Sequence, residues 1–520
     1  MIIKENEMEK VCVAVLADLH LPDDPGTVKE EILDWAVKEL KKRKIKEILA
    51  AGDMTAVGTL AAAKRVKAKL SSIKKGGFFC TLGNAELRSP EEAEATCREL
   101  ATPAISPHFL LLDSSGGRFT PSARTILTRQ LLKGGRKSFA VLTHYPPSSL
   151  PEEDQLLLAL GGKLGVIELI VHGHLHDESY SLWKKIPTFE VRAMDPDKSI
   201  GGPPCIALFT RNEKGKWSRK DLVYDKADPR TWSGKEKQEL LANLGISGMN
   251  IPLESLAFAA ENKVPVFEWR YTALSEEERK TFLSALSRWR KEGEGKCFSI
   301  HFPDCRFQEG KWTGLEALED AVKLAFTFSA DRITLHVPRT TVSHFSDPAA
   351  LEEITEKAAH ILKPLAEKGI VIGVENLHMR PGEKADEERG YGYTPMEVLE
   401  YVALLQKKGV DCGVHLDLGH VRNNAPFASF YTVTDWLALC GPLINGCHLH
   451  QVIRDEEGVF HNHKALTQLF GKFISLGSLF LAWKNMEIPH PPLILEIRHE
   501  MGPLSLEKLR EALGENKRYM

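Results

Sequence analysis

The chain has 520 residues, of which 43% are hydrophobic and 27% are charged. This length exceeds the roughly 250 to 300 residues at which a single hydrophobic core stops growing, so we expect at least two domains. The composition is that of an ordinary globular protein, and it excludes a disordered, collagen-like or coiled-coil chain.

Charge differs modestly between the two halves of the chain. Residues 1–232 hold 35 Lys and Arg against 31 Asp and Glu, a net +4, whereas residues 233–520 hold 33 against 40, a net −7. Proteins that bind mainly nucleic acid usually carry a strongly basic surface, because phosphate contacts supply much of the affinity. Nucleic acid therefore stays open as a partner but is disfavoured.

The sequence contains no segment typical of a membrane or secreted protein. No apolar run approaches the roughly 18 residues needed to span a bilayer, and the first ten residues, MIIKENEMEK, are charged where a secretory signal is apolar. The nine cysteines are scattered and form no CxxC pair, which is typical of reduced structural thiols. We therefore predict a cytoplasmic protein with no membrane partner.

In the first half, short β-branched runs alternate with helical stretches, one of which spans residues 27–44. Five runs predict strands, and each ends in Asp, Asn or His. They are VCVAVLADLH, EILAAGD, GGFFCTLGN, SFAVLTHYP and IELIVHGHLH. Ligands of layered α/β sheets bind at the carboxyl ends of the strands, so we expect these polar residues to line one edge.

Seven residues at these strand ends are candidate metal ligands. Oxygen and imidazole donors in this mixture suit Mn, Fe, Zn or Ni, and one carboxylate can bridge two ions. A single His at a strand end is more often structural, but the full set in this order is hard to obtain by chance. The candidates are Asp18, His20, Asp53, Asn84, His144, His174 and His176.

This series resembles the calcineurin-like metallophosphoesterases, whose motifs run DxH, GD, GNH, H and GHxH, and the resemblance covers roughly residues 11–224. It implies a layered α/β sandwich with two divalent transition metals, bridged by Asp53, and phosphoester hydrolysis by a bridging hydroxide. Asp53, Asn84 and His144 are the implied catalytic residues. By motif, one ion would bind Asp18, His20 and His176, and the other Asn84, His144 and His174.

One position departs from the family pattern. The third motif usually has a His after the Asn, but here Ala85 occupies that place. General-acid assistance contributes about 10²- to 10⁴-fold, so its loss disfavours substrates with poor leaving groups. We therefore predict a phosphodiesterase. His172, just before the last motif, is interpreted as structural.

The polar segment 224–239 is the candidate linker, and we place the domains at 1–232 and 233–520. After it, eight runs separated by helix-length segments predict the strands of a (β/α)8 TIM barrel, whose sites lie at the carboxyl ends of the strands. The runs are GISGMNI, PVFEWRY, CFSIHFP, RITLHVP, IVIGVEN, DCGVHLDLGH, INGCHLH and PLILEIRHE. The predicted fold class is thus α/β in both domains.

The barrel half contains nine candidate donors, seven of them near the ends of these runs and two in the segment FHNH that follows the seventh run. Buried imidazoles and carboxylates are costly unless a charge compensates them, and metal ions are the simplest compensation. The candidates are His301, His336, Glu375, Asp417, His420, His448, His461, His463 and Glu496.

The second half resembles the xylose-isomerase-like barrels, and among them the endonuclease IV group, over roughly residues 244–513. The resemblance implies two to three ions, Zn or alternatively Mn or Fe, with Glu375 and Glu496 as catalytic residues. By motif, eight of the nine donors would bind these ions. His461 is the exception, because the endonuclease IV group has an Asp at that position. This exchange leaves the number and identity of the ions open. His415 and His450 each lie two residues from a predicted ligand. They would contact the substrate, support a ligand or have a purely structural role.

These features predict a bifunctional metal-dependent hydrolase whose barrel acts on a small phosphorylated sugar or nucleotide-like metabolite. One alternative is a DNA repair nuclease that combines a phosphoesterase with an apurinic-site endonuclease barrel. Another is a sugar isomerase or epimerase barrel with an accessory phosphatase. A binding protein built on inactive folds is disfavoured, because both donor sets are complete. The sequence leaves the oligomeric state open.

Overall fold

The computed structural model describes residues 11–73, 77–134, 137–213, 215–249, 251–498 and 501–514. Their contacts divide the chain into two units, Met1–Asp228 and Pro229–Met520. The domain limits at 232 and 233 stay a prediction. Across the described residues, no helix is long and apolar enough to cross a membrane.

The described part of the first unit contains ten strands and five α-helices. The strands are β1 Val11–Leu16, β2 Glu47–Ala51, β3 Gly77–Thr81, β4 Phe109–Leu111, β5 Phe139–Thr143, β6 Ile167–His172, β7 Ser179–Trp183, β8 Ile186–Glu190, β9 Cys205–Arg211 and β10 Trp217–Val223. The helices are α1 Val28–Lys42, α2 Leu60–Ser71, α3 Ala93–Leu100, α4 Pro121–Leu132 and α5 Glu152–Lys163.

The strands of the first unit form two five-stranded sheets, in the orders β10-β9-β1-β2-β3 and β4-β5-β6-β8-β7. One buried cluster draws Val13 and Leu49 from the first sheet and Phe109 and Leu142 from the second, so the two sheets pack face to face. A second cluster packs α4 and α5 on the outer face of the second sheet. This is the layered sandwich expected from the sequence.

All five predicted strands of the first half are present, as β1, β2, β3, β5 and β6. Each of β1, β2 and β3 pairs in parallel with its neighbour, as do β5 and β6. Their carboxyl ends therefore lie on one edge of each sheet, where the predicted donors begin.

The described part of the second unit contains twelve strands. They are β11 Leu244–Ser247, β12 Val266–Arg270, β13 Cys297–His301, β14 Arg306–Gln308, β15 Lys311–Thr313, β16 Arg332–His336, β17 Val371–Glu375, β18 Gly413–Asp417, β19 Ile444–Leu449, β20 Gln451–Arg454, β21 Phe460–Lys464 and β22 Leu493–Leu495. Its helices are α6 Gly234–Leu241, α7 Pro252–Glu261, α8 Glu276–Glu292, α9 Leu315–Thr327, α10 Val342–Ser346, α11 Pro348–Glu367, α12 Pro395–Lys407, α13 Leu418–Arg422, α14 Val433–Cys440, α15 Gly477–Lys484 and α16 Met501–Ala512.

Eight of these strands close a barrel in the order β11-β12-β13-β16-β17-β18-β19-β22. Neighbouring strands pair in parallel around the ring, for example β16 with β17 and β11 with β22. All eight predicted barrel strands are confirmed. The two antiparallel hairpins, β14-β15 and β20-β21, are insertions after β13 and β19.

The boundary between the two units, after Asp228, lies within the linker predicted over residues 224–239, but much of this segment is regular structure. Short 3₁₀ turns span Asp225–Ala227 and Pro229–Thr231, and α6 begins after Ser233, which forms a capping box with Glu236. Trp232 is buried in the hydrophobic core of the second unit. The polar composition reflects helix capping rather than an open tether.

Candidate metal centres

The first unit brings all seven predicted donors into one connected cluster. Asp53 lies at its centre, with Oδ2 3.2 Å from His20 Nε2 and Oδ1 3.4 Å from His144 Nε2. On one side His176 Nε2 lies 3.6 Å from Asp18 Oδ1. The other side places Asn84 Oδ1 3.1 Å and His174 Nδ1 3.2 Å from His144 Nε2. Ligand atoms that share one ion at about 2.0 to 2.2 Å lie about 3 to 3.5 Å apart, so these separations fit metal binding.

Five of these donors have a left-handed backbone, which non-glycine residues rarely adopt. Their φ angles run from 48° to 78°, and the residues are Asp18, His20, Asp53, His174 and His176. Such strain persists only where the surroundings impose it, and it is concentrated at functional sites. All five residues lie in the loops just after β1, β2 and β6, and their side chains belong to the same cluster.

His144 turns one ring nitrogen toward the centre of the cluster. Its Nδ1–H donates to the carbonyl oxygen of Ala51 at 2.9 Å, and a carbonyl can only accept. Nε2 is therefore the nitrogen that faces the oxygens of Asn84 and Asp53. A metal ion placed among these three atoms would have a ligand-rich site with nitrogen and oxygen donors.

Burial keeps His20 and His174 in the neutral form. Burial lowers the pKa of His20 to about 3 and that of His174 to about 4, despite the nearby Asp53 carboxylate. For Asp53 itself, burial acts to raise the pKa, but the hydrogen bonds from His20 and from the backbone N–H of Ala85 hold it well below its usual range. Neutral imidazoles and an ionised bridging carboxylate are the protonation states that metal ions require.

Two buried carboxylates that the sequence analysis missed support this cluster. Glu86 accepts hydrogen bonds from the backbone N–H groups of Asp53, Thr55 and Gly83, and so ties the second and third motifs together. Its position two residues after Asn84 was the available signal. Gly83 is required here, because a Cβ would lie 2.2 Å from Asp53 Oδ1.

The other missed carboxylate is Asp195, which lies far from any motif. Its Oδ2 is 3.4 Å from His20 Nδ1 and accepts a hydrogen bond from Lys29 Nζ at 2.9 Å. A carboxylate behind a metal-binding imidazole orients the ring and raises its basicity. No signal in the sequence linked Asp195 or Lys29 to the site.

The position that departs from the family pattern is fully buried. The backbone N–H of Ala85 donates to Asp53 Oδ1 at 2.7 Å, so this residue helps to hold the bridging carboxylate but offers no side-chain proton. His172 is buried at the end of β6 and its Nδ1 contacts the Gly173 carbonyl at 3.0 Å, in keeping with the structural interpretation.

In the barrel, Glu375 at the end of β17 joins two groups of donors. Its Oε2 lies 3.0 Å from His301 Nε2 and 3.2 Å from His336 Nε2. Its Oε1 lies 3.0 Å from His448 Nδ1, and this second group also contains Asp417 and Glu496. The side chain of Glu375 is fully buried. It therefore occupies the position of a bridging carboxylate.

Two barrel histidines each turn one ring nitrogen toward a buried carboxylate. His301 Nδ1–H donates to the Phe302 carbonyl at 2.9 Å, which leaves Nε2 facing Glu375 Oε2 at 3.0 Å. His448 Nε2–H donates to Glu268 Oε1 at 2.7 Å, which turns Nδ1 toward Glu375 and Glu496. Burial acts to lower the pKa of His448, but these carboxylates hold it well above its usual range, so the position strongly favours a positive charge. The donor chemistry of the barrel thus fits divalent cations.

Glu268 was missed by the sequence analysis. It lies fully buried in β12, where its carboxylate also accepts hydrogen bonds from Ser299 and Thr334. Burial opposes ionisation, but the charge and hydrogen bond of His448 hold the pKa of Glu268 well below its usual range. A lone acidic residue within an apolar strand was the available signal, because such a group needs a partner.

A second missed carboxylate, Asp304, supports His336. Asp304 Oδ1 accepts from His336 Nδ1–H at 2.5 Å, and its Oδ2 accepts from Arg339 Nε at 3.1 Å. Burial lowers the pKa of His336, but Glu375 and Asp304 outweigh it and raise the value to about 9. The carboxylates of this group therefore attract a positive charge strongly.

The remaining predicted barrel donors lie beside these groups, with one exception. His420 Nδ1 lies 3.6 Å from Glu375 Oε1, and His463 Nδ1 lies 3.3 Å from Glu496 Oε2. His461 lies on the β20-β21 hairpin with a side chain that is 46% exposed, and its Nε2 bonds Asp455 at 2.7 Å. The structure therefore brings eight of the nine candidates together and leaves His461 apart.

The two histidines whose roles were left open have different surroundings. His450 Nδ1 accepts the backbone N–H of His463 at 3.0 Å, so its Nε2–H donates to Asp417 at 3.1 Å and orients that carboxylate. His415 Nδ1 accepts from Arg332 at 3.0 Å, and its ring packs 4.0 Å from that of His448. Both support predicted ligands.

Comparison with known families agrees with this geometry. Residues 238–517 match the family model of xylose isomerase-like TIM barrels, and residues 13–178 match that of calcineurin-like phosphoesterases. No curated protein sequence gives a significant match to the chain.

Several solved structures are similar to this chain over about half of its length. A D-tagatose 3-epimerase-like protein is 21% identical, with a TM-score of 0.37 over 52% of this chain and 97% of its own. A putative xylose isomerase from Rhodospirillum rubrum is 14% identical, with a TM-score of 0.40 over 53% and 99%. Endonuclease IV from Thermus thermophilus is 19% identical, with a TM-score of 0.34 over 53% and 100%.

Proposed function

Because the chain belongs to the xylose isomerase-like TIM barrel family and also carries a calcineurin-like phosphoesterase domain, we propose that it is a bifunctional metal-dependent hydrolase. The first unit hydrolyses phosphodiesters. The barrel acts on a small phosphorylated sugar or nucleotide-like metabolite.

One observation carries the proposal. In both units a buried carboxylate, Asp53 or Glu375, lies between two groups of donors whose histidine nitrogens approach it within 3.0 to 3.4 Å. Carboxylates and imidazoles buried together in this way are costly unless positive charge compensates them. Divalent ions at both positions satisfy the donors and supply the charge that hydrolysis of a phosphoester needs.

In the first unit, each residue has a defined task. Asp18, His20 and His176 would hold one ion and Asn84, His144 and His174 the other, with Asp53 between the two groups. A pair of divalent ions would supply Lewis-acid activation of water and charge neutralisation for the phosphoryl oxygens. Glu86 and Asp195 keep Asp53 and His20 in place. Because Ala85 offers no proton to a leaving group, substrates with good leaving groups are favoured.

In the barrel, Glu268 and Asp304 orient His448 and His336 so that their remaining nitrogens face Glu375. Zinc is our first expectation for these imidazole-rich positions, with manganese or iron as alternatives. The net charge of −7 over residues 233–520 favours a small phosphorylated substrate over nucleic acid.

The test is phosphoester turnover by the metal-replete full chain. We expect hydrolysis of bis(p-nitrophenyl) phosphate to exceed that of p-nitrophenyl phosphate. Asp53→Asn should abolish this turnover, whereas the control Asp34→Asn, which changes an exposed carboxylate of α1, should retain it. Absence of diester turnover in the wild type, or full turnover by Asp53→Asn, would contradict the proposal.

A further inference from the structure

A cavity of about 220 Å³ lies at the mouth of the barrel. Its walls come from the segments that follow β13, β16 and β17, and these strands end in His301, His336 and Glu375. Those three residues form one of the groups able to hold a metal ion. The cavity is therefore beside the predicted metal centre, on the face of the barrel where substrates bind.

Three arginines line this cavity: Arg306, Arg339 and Arg380. Two of them are paired through the backbone, because Arg306 and Arg339 form a parallel bridge in which Phe307 N–H donates to the Arg339 carbonyl at 3.1 Å. Residues paired in this way project their side chains to the same face. The two guanidinium groups are thus presented together.

Positive charge predominates in the lining. Among the residues that the structure describes, the guanidinium groups of Arg306 and Arg380 have no hydrogen bond or ion pair. Two carboxylates also line the cavity. One of them, Glu383, accepts hydrogen bonds from the hydroxyl of Tyr393 and the backbone N–H of Arg380. The other carboxylate, Glu388, is exposed. With three arginines and two glutamates, the lining has a net charge of +1.

A buried hydroxyl in the same wall also lacks a partner. Thr340 is only 4% exposed, and within the described residues its Oγ1 has no hydrogen-bond partner. A buried hydroxyl without a partner is costly, so this group points to a polar ligand. Guanidinium groups together with a hydroxyl donor are the groups that bind phosphate oxygens.

The cavity is connected to the predicted metal centre through one carboxylate. Asp304 accepts from Arg339 Nε with one oxygen and from His336 Nδ1 with the other. A group bound against Arg339 would therefore lie next to the residues that hold His336. A ligand with its anionic end in the cavity would therefore have the metal centre within reach of its remaining part.

We propose that this cavity binds the phosphate monoester end of the barrel's substrate, through Arg306, Arg339, Arg380 and Thr340. The inference rests on the proposed function of the barrel and deepens it, because it specifies how a phosphorylated substrate is held. Arg306 and Arg380 bind the phosphate, and Arg339 also fixes its orientation relative to His336.

The first test is protection of individual arginines in the metal-replete full chain. Inorganic phosphate should slow the modification of Arg306 and Arg380 by phenylglyoxal several-fold, as mapped by mass spectrometry of peptides. Acetate at equal ionic strength should protect them much less. Arg288, which is 60% exposed and bonded to Glu292 on α8, is the internal control and should react at an unchanged rate. Equal protection of Arg288, or no protection of the cavity arginines, would overturn the proposal.

The second test uses variants in an Asp53→Asn background, which disables the predicted phosphate-binding centre of the first unit. Phosphate binding, followed by calorimetry, should weaken about tenfold or more in Arg306→Gln and in Arg380→Gln. It should be unchanged in Arg288→Gln and should strengthen in Glu388→Gln. Wild-type affinity in both cavity variants would contradict the inference.

Metal content measured on the same samples separates this inference from the proposed function. If the barrel holds its ions but the arginine variants bind phosphate normally, the inference alone is wrong. If the barrel holds no ions yet phosphate binding depends on Arg306 and Arg380, the anion site stands and the proposed barrel chemistry is wrong.

Discussion

The two candidate centres present similar donors in different ways. In the first unit, most donors sit on left-handed loop residues just beyond the strands, and the side chain of His176 is 23% exposed. In the barrel, Glu375, Asp417 and His448 lie on the strands themselves and are fully buried. Most donors of the first unit therefore lie in loops with a constrained backbone, whereas these barrel donors lie at the ends of neighbouring strands.

The protonation of the histidines also differs. Burial dominates in the first unit and lowers the pKa of His20 and His174. In the barrel, burial opposes protonation too, but Glu268, Glu496 and Glu375 hold the pKa of His448 well above its usual range. The barrel therefore has the greater need for positive charge, because more carboxylates are buried beside its imidazoles. A centre of this kind should depend more strongly on its metal ions.

The largest effect is expected from Glu375→Gln. Because Glu375 contacts both donor groups, the variant should lose about two ions per chain from the barrel. Elemental analysis measures this loss. Turnover of bis(p-nitrophenyl) phosphate by the first unit should stay within about twofold of the wild type, since none of its donors comes from the barrel. If that turnover were lost while the chain stayed folded, the two centres would not be independent.

A smaller effect is expected from Glu268→Gln, which keeps the shape of the side chain but removes its charge. Supporting carboxylates of this kind contribute about 10- to 100-fold to metal affinity. Competition with a chromogenic chelator should therefore show weaker binding by the barrel. Glu316→Gln, on an exposed residue of α9, is the matched control. Unchanged affinity in Glu268→Gln would show that the orientation of His448 does not depend on this carboxylate.

In the first unit the corresponding change is Asp195→Asn. Its carboxylate lies 3.4 Å from His20 Nδ1, a longer contact than that between Glu268 and His448, so we expect a decrease of about tenfold in diester turnover. Saturating added metal should partly restore the rate, and the ion content of the barrel should not change. A variant with wild-type turnover at limiting metal would exclude Asp195 as a positioning residue.

The smallest difference concerns the order in which ions leave. A chelator should remove ions from the first unit several-fold faster, because His176 is partly exposed whereas the side chains of Glu375, Asp417 and His448 are fully buried. Parallel time courses of diester turnover and residual metal measure both rates. If the barrel lost its ions before diester turnover declined, the barrel ions would be the more accessible ones and the prediction would be wrong.

Much of the fold was predictable because the barrel strands are apolar runs that end in polar residues. Strands without that pattern were missed, as in the exposed β7, SYSLW, and the largely polar β10, WSRKDLV. Their register depends on pairing with β8 and β9, which no local pattern encodes. A two-residue alternation cannot reveal such tertiary partners.

The same distinction holds at the candidate centres. The predicted donors follow strands, so their convergence was predictable for every candidate except His461, which the β20-β21 hairpin carries away from the cluster. The supporting carboxylates Asp195 and Asp304 were missed, because their roles depend on contacts with His20 and His336 that only the folded chain creates. Glu268 had a local signal, as a buried acid within an apolar strand.

The central claim is that each unit holds its own multinuclear metal centre, and the number of ions per chain tests it most directly. Elemental analysis of the metal-replete full chain, after removal of loosely bound ions, should give about four to five transition-metal ions per chain. Asp53→Asn should reduce this number without affecting the barrel, and Glu375→Gln should reduce it without affecting the first unit. Fewer than about two ions per wild-type chain would contradict the account.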